Sequence, residues 1–134
     1  DAKAVGQFKD PKNIWQHDGK FYVADHGNGR VAVLDASTFE VVDEIKQDLV
    51  APWDVFVEPE TGDIYIADPG AAAVFQFDKN KNLKERIDPI TIRGFISPRG
   101  VRVINEYVYV ADFERILAFK KGVLAVRPTF RIEN

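Results

Sequence analysis

The sequence predicts an all-β protein built from three tandem four-stranded blades of a β-propeller. One pentapeptide pattern occurs three times, as Phe21–Asp25, Ile64–Asp68 and Val108–Asp112, with spacings of 43 residues (25 to 68) and 44 residues (68 to 112). A proline lies upstream of each copy, at Pro11, Pro52 and Pro98. A second apolar run, rich in β-branched and aromatic residues, lies downstream of each copy. A period in the low forties, made of short strands, is typical of propeller blades.

Each repeat divides into four strands, named a to d in chain order. Strand b is the pentapeptide itself, and Gly or Asp residues supply the turns on either side of it. Strand a is predicted at 13–16, 54–57 and 100–104, strand c at 30–35, 73–78 and 115–120, and strand d at 40–45, 83–87 and 129–132. The predicted blades cover about 8–49, 50–92 and 93–134 of a single domain, 1–134. Residues 3–8 are predicted as an extra strand, equivalent to strand d of a preceding blade.

Composition narrows the class of protein. Hydrophobic residues make up 46% and charged residues 29% of the 134 residues, as in an ordinary globular protein. No apolar run approaches the ~18 residues of a membrane span. The absence of cysteine excludes disulfides and thiolate metal sites. The chain starts with Asp1 and contains no methionine. We therefore expect either a mature form whose leader was removed, located outside the cell or in the periplasm, or a piece of a longer protein.

The residues after the first pentapeptide resemble a known repeat. The run from Tyr22 to Val31 is similar to the signature of NHL repeats, which form the blades of six-bladed propellers. The second repeat departs from the signature at 69–73, and the third has a shorter loop at 113–115. The resemblance covers almost the whole chain and implies a six-bladed ring. It does not imply one function, because propellers include enzymes, scaffolds and RNA-binding proteins.

Three blades cannot close a ring, because propellers have typically four to eight. We expect a second copy to complete the ring head to tail or to extend it into a filament, or the remaining blades to lie elsewhere in a longer protein. The charges of the blades differ: 9 acidic and 6 basic groups give −3 for 1–49, 8 and 4 give −4 for 50–92, and 4 and 8 give +4 for 93–134. The basic third blade and the acidic first blade are predicted to attract each other between chains. The alternative is that these charges only face solvent.

The aspartate that ends each pentapeptide is predicted to be structural. Asp25, Asp68 and Asp112 recur in every blade, whereas a catalytic residue is normally needed once. We expect each to accept hydrogen bonds from backbone amides of the tight b–c loop. The alternative is a metal ligand or an acid–base group.

The enzymatic alternative is a metal-dependent lyase or lactonase-type propeller enzyme assembled across chains. Propeller geometry places the b–c loop with His26 and the a–b loop with His17 at opposite ends, which argues against a zinc site like that of peptidylglycine-type lyases. A calcium site like that of lactonase-type propellers would need oxygens that converge. Its candidate ligands are Asp10, Asn13, Asp25, Asp54, Asp68 and Asp112. No cofactor is predicted, with calcium or zinc as the alternative.

The d–a and b–c loops form the predicted binding face. Its candidate residues are Lys9, Asp10, Trp15, His26, Asn28, Trp53, Asp54, Arg99, Phe113, Glu114 and Arg115. Trp15 and Trp53 are expected to pack between blades. The leading prediction is a non-enzymatic protein-interaction or self-assembly module. RNA binding through Arg93, Arg99, Arg102 and Arg115 is a further alternative, which the net charge of −3 disfavours.

Overall fold

The computed structural model describes residues 7–87, 97–122 and 130–133, the last range for its backbone only. These residues form three antiparallel four-stranded sheets and no α-helix. The first sheet contains β1 (Pro11–His17), β2 (Lys20–Asp25), β3 (Arg30–Asp35) and β4 (Val41–Ile45). The second contains β5 (Asp54–Val57), β6 (Ile64–Asp68), β7 (Ala73–Phe77) and β8 (Leu83–Ile87). The third contains β9 (Gly100–Ile104), β10 (Tyr107–Asp112), β11 (Arg115–Lys120) and β12 (Phe130–Glu133).

The predicted strand order and type are confirmed, and each sheet lies within one predicted blade. The main difference in bounds is at β1, which begins at Pro11 and contains a register irregularity between Pro11 and Ile14. The predicted strand at 3–8 falls mostly outside the described residues, and its last two residues, 7 and 8, are not in a strand. The β1–β2 turn is made by Asp18 and Gly19, both with positive φ (46° and 73°). Asp-Gly is a favoured pair for such two-residue hairpin turns.

Two apolar cores hold the three sheets together. Between the first and second blades, Val31, Val33 and Ile45 pack against side chains that include Phe75 and Phe77. The core between the second and third blades is formed by residues that include Phe56, Tyr65, Val74, Val108, Leu117 and Phe119. The side chains of the middle blade therefore alternate between the two cores, as the period-two geometry of a strand requires.

The innermost strands β1, β5 and β9 succeed one another across the blades, with β1 against β5 and β5 against β9. Their pairing with strand b defines equivalent positions: Ile14 pairs with Val23, Val55 with Ile66, and Val101 with Val110. Val55 and Val101 are buried, at 0% and 1% exposure, but Ile14 is 59% exposed. Val55 and Val101 each pack against the preceding blade, and no described blade precedes the first.

The outer face of the third blade also has an exposed apolar side chain where the other blades have a buried one. Val31, Val74 and Ile116 are equivalent, because they pair with Ala24, Ala67 and Ala111 of strand b. Val31 and Val74 are fully buried, and Ile116 is 44% exposed. The described part of the chain thus has two covered junctions and two outer sheet faces, those of Ile14 and Ile116, that no described blade covers; we call these the open faces. The open face of the first blade is covered in part, because Val23, Ala32 and Leu34 are buried there and pack with Phe8 and Phe21. No helix of the described residues is long and apolar enough to cross a membrane.

Candidate functional site

The repeated aspartates fasten the segment before strand a to the end of strand b. Asp68 accepts hydrogen bonds from the amides of Val50 (2.7 Å) and Ala51 (3.0 Å), and from that of Ala71 (2.9 Å). Asp112 accepts one from the amide of Ser97 (2.7 Å). Of these donors only Ala71 lies in the b–c loop, where the sequence analysis placed them. The prediction of backbone donors holds, but most of them come from the preceding d–a segment.

Asp25 combines the same contact with two side-chain donors. Its carboxylate is fully buried and accepts hydrogen bonds from the amide of Lys9 (2.8 Å), Nδ2 of Asn28 (2.9 Å) and Nε of Arg30 (2.8 Å). Burial alone would raise the pKa of Asp25, but these three donors together lower it. Arg115 similarly bonds to Asp112 in the third blade. Asn28 and Arg115, two candidates for the binding face, therefore support aspartates.

Glycines let the d–a segment approach the b–c loop closely. A Cβ atom on Gly27 would lie 2.6 Å from the carbonyl oxygen of Lys9, which accepts the Gly27 amide at 2.7 Å. At the equivalent Gly70 it would lie 2.8 Å from Cβ of Ala51. The same backbone arrangement thus recurs in the first two blades.

Three of the predicted loop residues come together around one indole ring. The imidazole of His26 lies edge-on to Trp53, with 5.2 Å between ring centroids. The Arg99 guanidinium lies 4.5 Å from the Trp53 ring centroid, and Nζ of Lys12 lies 4.4 Å from it. We call Lys12, His26, Trp53 and Arg99 the Trp53 cluster. Lys12 was not among the predicted residues, although the alignment of the repeat prolines contains the signal, since Lys12, Trp53 and Arg99 each follow one of them.

Trp15 belongs to a different environment from Trp53. It packs against both inter-blade cores and lies 4.8 Å from the ring of Phe56. The Arg102 guanidinium lies 4.9 Å from the Trp15 ring centroid. The expectation that both tryptophans pack between blades therefore holds for Trp15 but not for Trp53. Trp53 is only partly buried and belongs to neither core among the described residues.

Asp54 lies at the junction between the second and third blades and is not part of the exposed loop surface. Its Oδ2 accepts hydrogen bonds from the amide of Val101 (3.0 Å) and from Arg102 (2.6 Å), both in the next blade. Its Oδ1 is buried without a hydrogen-bond partner. Burial raises the pKa of Asp54, an effect that the two donors offset only in part. The remaining candidates, Asp10, Phe113 and Glu114, are exposed, and Asp10 forms an ion pair with Lys12 at 3.0 Å.

Ion pairs between adjacent blades have a common polarity. In each of three pairs the acid lies on the earlier blade and the base on the later one. The pairs are Asp43–Lys81 (3.0 Å), Asp54–Arg102 (2.6 Å) and Glu58–Lys121 (2.6 Å). Two basic groups of the third blade are therefore matched to acids of the second blade within the chain. This arrangement revises the sequence-based expectation, which assigned the positive charge of the third blade to attraction between chains.

The described residues contain no group of three or more His, Asp or Glu side chains that could hold a metal ion. The candidate calcium ligands are separated, because Asp25, Asp68 and Asp112 each serve their own blade. His17 lines a cavity of about 370 Å³ with residues 59–62 and 79–81, whereas His26 contacts Trp53. The two histidines thus lie in different loop environments, as predicted.

The predicted basic patch is dispersed. Arg93 lies outside the described residues, Arg102 bonds to Asp54, and Arg115 bonds to Asp112. Arg99, in the Trp53 cluster, is exposed.

No protein-family model and no curated protein sequence matches this chain. Among solved structures, the chain is similar to Kuenenia stuttgartiensis hydrazine synthase, with a TM-score of 0.78 and 18% identity over 99% of this chain and 38% of that chain. It is also similar to the WD40 β-propeller domain of Doa1, with a TM-score of 0.72 and 11% identity over 90% of this chain and 38% of that chain. The three sheets are blades of a β-propeller. At these identities the likeness shows the fold alone, and the chain spans well under half the length of either structure.

Proposed function

We propose that the chain is a non-enzymatic interaction module of NHL-like blades, whose two open sheet faces pair with each other between copies. The observation that carries this proposal is the contrast at equivalent positions. Ile14 and Ile116 are 59% and 44% exposed, whereas their counterparts inside the chain are at most 1% exposed. Burying such side chains is the main favourable contribution to association. A head-to-tail contact between copies would place the face of Ile116 against the face of Ile14.

The proposed junction is mainly apolar. The cross-strand register makes Gly100 and Ile104 of the third blade equivalent to the acids Asp54 and Glu58 of the second. The open face of the third blade thus lacks the acids that form two of the ion pairs within the chain. We therefore expect association to change little between low and high salt, because screening acts on charges and not on apolar contacts.

The test is the solution mass of the 15.1 kDa chain by light scattering after gel filtration. The proposal expects about twice this mass for a six-bladed ring, or a much larger species for a filament. Ile14→Glu and Ile116→Glu each place a charge on one open face and should each yield monomers. Phe113→Glu is the matched control, because Phe113 is 68% exposed but lies in a loop and not on an open face.

Mixing the two monomeric variants identifies the geometry of the contact. The Ile14→Glu chain keeps an intact third-blade face, and the Ile116→Glu chain keeps an intact first-blade face. A head-to-tail contact therefore predicts that the mixture forms dimers through one intact junction. A face-to-face contact between identical surfaces would leave at least one of the two variants dimeric by itself, before any mixing, and would contradict the proposal. A folded wild-type monomer would also overturn it and would assign the open faces to blades of another polypeptide.

A further inference from the structure

The Trp53 cluster has a composition and a placement that the assembly proposal does not use. Three of its four members, Lys12, Trp53 and Arg99, occupy one repeat position, directly after the proline, in three successive blades. Both cations lie within 4.5 Å of the centroid of one indole ring. Cations over an aromatic face are attracted by its quadrupole. Two positive groups, one from the first blade and one from the third, therefore contact the same indole ring.

The positive charge of the cluster is only partly neutralised within the described part of the chain. Arg99 is exposed, and none of the described carboxylates forms an ion pair with it. Lys12 pairs with Asp10, whose side chain is 59% exposed, so this pair is open to exchange with another anion. The carboxylate nearest in sequence to Trp53 is that of Asp54, and it is bound by Arg102 and the Val101 amide.

His26 adds unused hydrogen-bonding capacity at the edge of the same ring. Its Nδ1 is buried and has no hydrogen-bond partner in the structure. A buried polar atom without a partner costs free energy, and such atoms are uncommon in folded proteins. A small rotation of the imidazole toward an incoming ligand would relieve this cost.

We propose that the Trp53 cluster binds carboxylate groups of an acidic peptide segment on a partner protein. Arg99 offers a planar guanidinium that can hold a carboxylate through two hydrogen bonds, and Lys12 adds a second cation at the same indole ring. Trp and Arg are also the residue types most enriched among the dominant contacts of protein interfaces. Acidic side chains fit this site, because a carboxylate would supply the negative partner that Arg99 does not have among the described residues.

The arrangement favours a peptide over a nucleic acid. Single-stranded nucleic acids need aromatic faces on which bases stack and a groove of basic residues along the backbone. Here two cations already lie over the indole, and Arg102 and Arg115 are bound to aspartates.

The test uses the Trp15→Phe variant, so that tryptophan emission reports Trp53 alone. Phe is the residue at the equivalent position 56 of the second blade, which makes the replacement compatible with the repeat. N-acetylated, C-amidated hexaglutamate is titrated at low salt, with hexaglutamine as the uncharged control peptide and hexauridylate as the nucleic-acid probe. We expect hexaglutamate to change the emission saturably, hexaglutamine to have no effect, and binding to weaken in 0.5 M NaCl.

The variants Lys12→Gln and Arg99→Gln should each weaken hexaglutamate binding about tenfold or more, since each removes one cation that hydrogen-bonds to a carboxylate. The control is Lys20→Gln with Lys79→Gln, which removes two exposed lysines near the opposite loops and should leave binding unchanged. Absence of any hexaglutamate response would overturn the proposal, as would equal binding by the Lys12→Gln/Arg99→Gln double variant. Tighter binding of hexauridylate than of hexaglutamate would replace it with a nucleic-acid site. None of these outcomes depends on the solution mass.

Discussion

The middle blade and the two terminal blades are built from the same repeat but differ in what covers them. Strand b of the middle blade is buried at every residue from Ile64 to Asp68. In the third blade, alternate residues of strand b are less covered, and Ala111 is exposed although its counterpart Ala67 is buried. The repeat therefore specifies the blade, whereas the burial of particular outer positions, such as Ile14 in the first blade and Ile116 in the third, depends on a neighbouring blade. This is the nearest-neighbour behaviour of repeat architectures.

The repeated aspartates differ between the same regions. The first residue of strand c pairs with the aspartate that ends strand b. This residue is Arg30 in the first blade, Ala73 in the middle blade and Arg115 in the third blade. Asp25 and Asp112, in the first and third blades, thus each bond to an arginine. Asp68 in the middle blade bonds instead to three backbone amides, and Ala73 is buried in a core. The middle blade uses this position for apolar packing, and the terminal blades use it for an ion pair.

The largest expected effect comes from truncating a side chain in a covered junction. Phe75 is fully buried between the first two blades, so Phe75→Ala leaves a cavity and should lower the free energy of unfolding by about 3–5 kcal/mol. Urea denaturation followed by circular dichroism measures this loss. Phe113→Ala, at a 68% exposed position, is the matched control and should change stability by less than about 0.5 kcal/mol. Similar losses at both positions would show that an unseen neighbour covers Phe113.

An intermediate effect is expected for Asp25→Asn, and it should depend on pH. The pKa of Asp25 is lowered in the folded protein, so its stabilising contribution is present above the ordinary carboxyl pKa of about 4 and is lost as the pH falls below that value. At pH 7 the variant should be about 2–3 kcal/mol less stable, because the buried Arg30 pair loses its anion. The difference between variant and wild type should shrink toward pH 3.

The control for this experiment is Asp18→Asn. It removes an exposed carboxylate in a turn where Asn-Gly is as favourable as Asp-Gly, so it should match the wild type at each pH. Urea midpoints at pH 7, 4 and 3 supply the comparison. A deficit of Asp25→Asn that stays constant from pH 7 to pH 3 would assign the role of Asp25 to shape and not to charge.

The sequence predicted the blades because period-two alternation and recurring turn residues are local signals. Strands β3, β5, β6, β8, β9 and β11 have the predicted bounds. Strand β1 begins earlier than predicted, because an irregularity in its pairing is not visible in the pattern of residues. The sequence placed His26, Trp53 and Arg99 on the predicted binding face, but it favoured packing between blades for Trp53, which the structure does not show. It missed Lys12, and it could not predict which charges pair across blades, because those pairs depend on how successive sheets are placed against one another.

The smallest expected effect concerns the ion pairs that join adjacent blades. Lys121 bonds to Glu58 across the second junction at 2.6 Å, and Glu58 is nearly buried whereas Lys121 is 24% exposed. A double-mutant cycle of Lys121→Gln and Glu58→Gln should give a coupling of about 0.5–1 kcal/mol, because an exposed lysine is partly screened by solvent. The coupling should fall in 0.5 M NaCl.

The pair Lys84 and Asp63 within the middle blade, at 2.9 Å with a 47% exposed lysine, should couple less strongly and serves as the reference. If the cross-blade pair coupled no more strongly than the pair within one blade, the common polarity of the junction charges would have no energetic role, and apolar burial alone would distinguish covered from open faces.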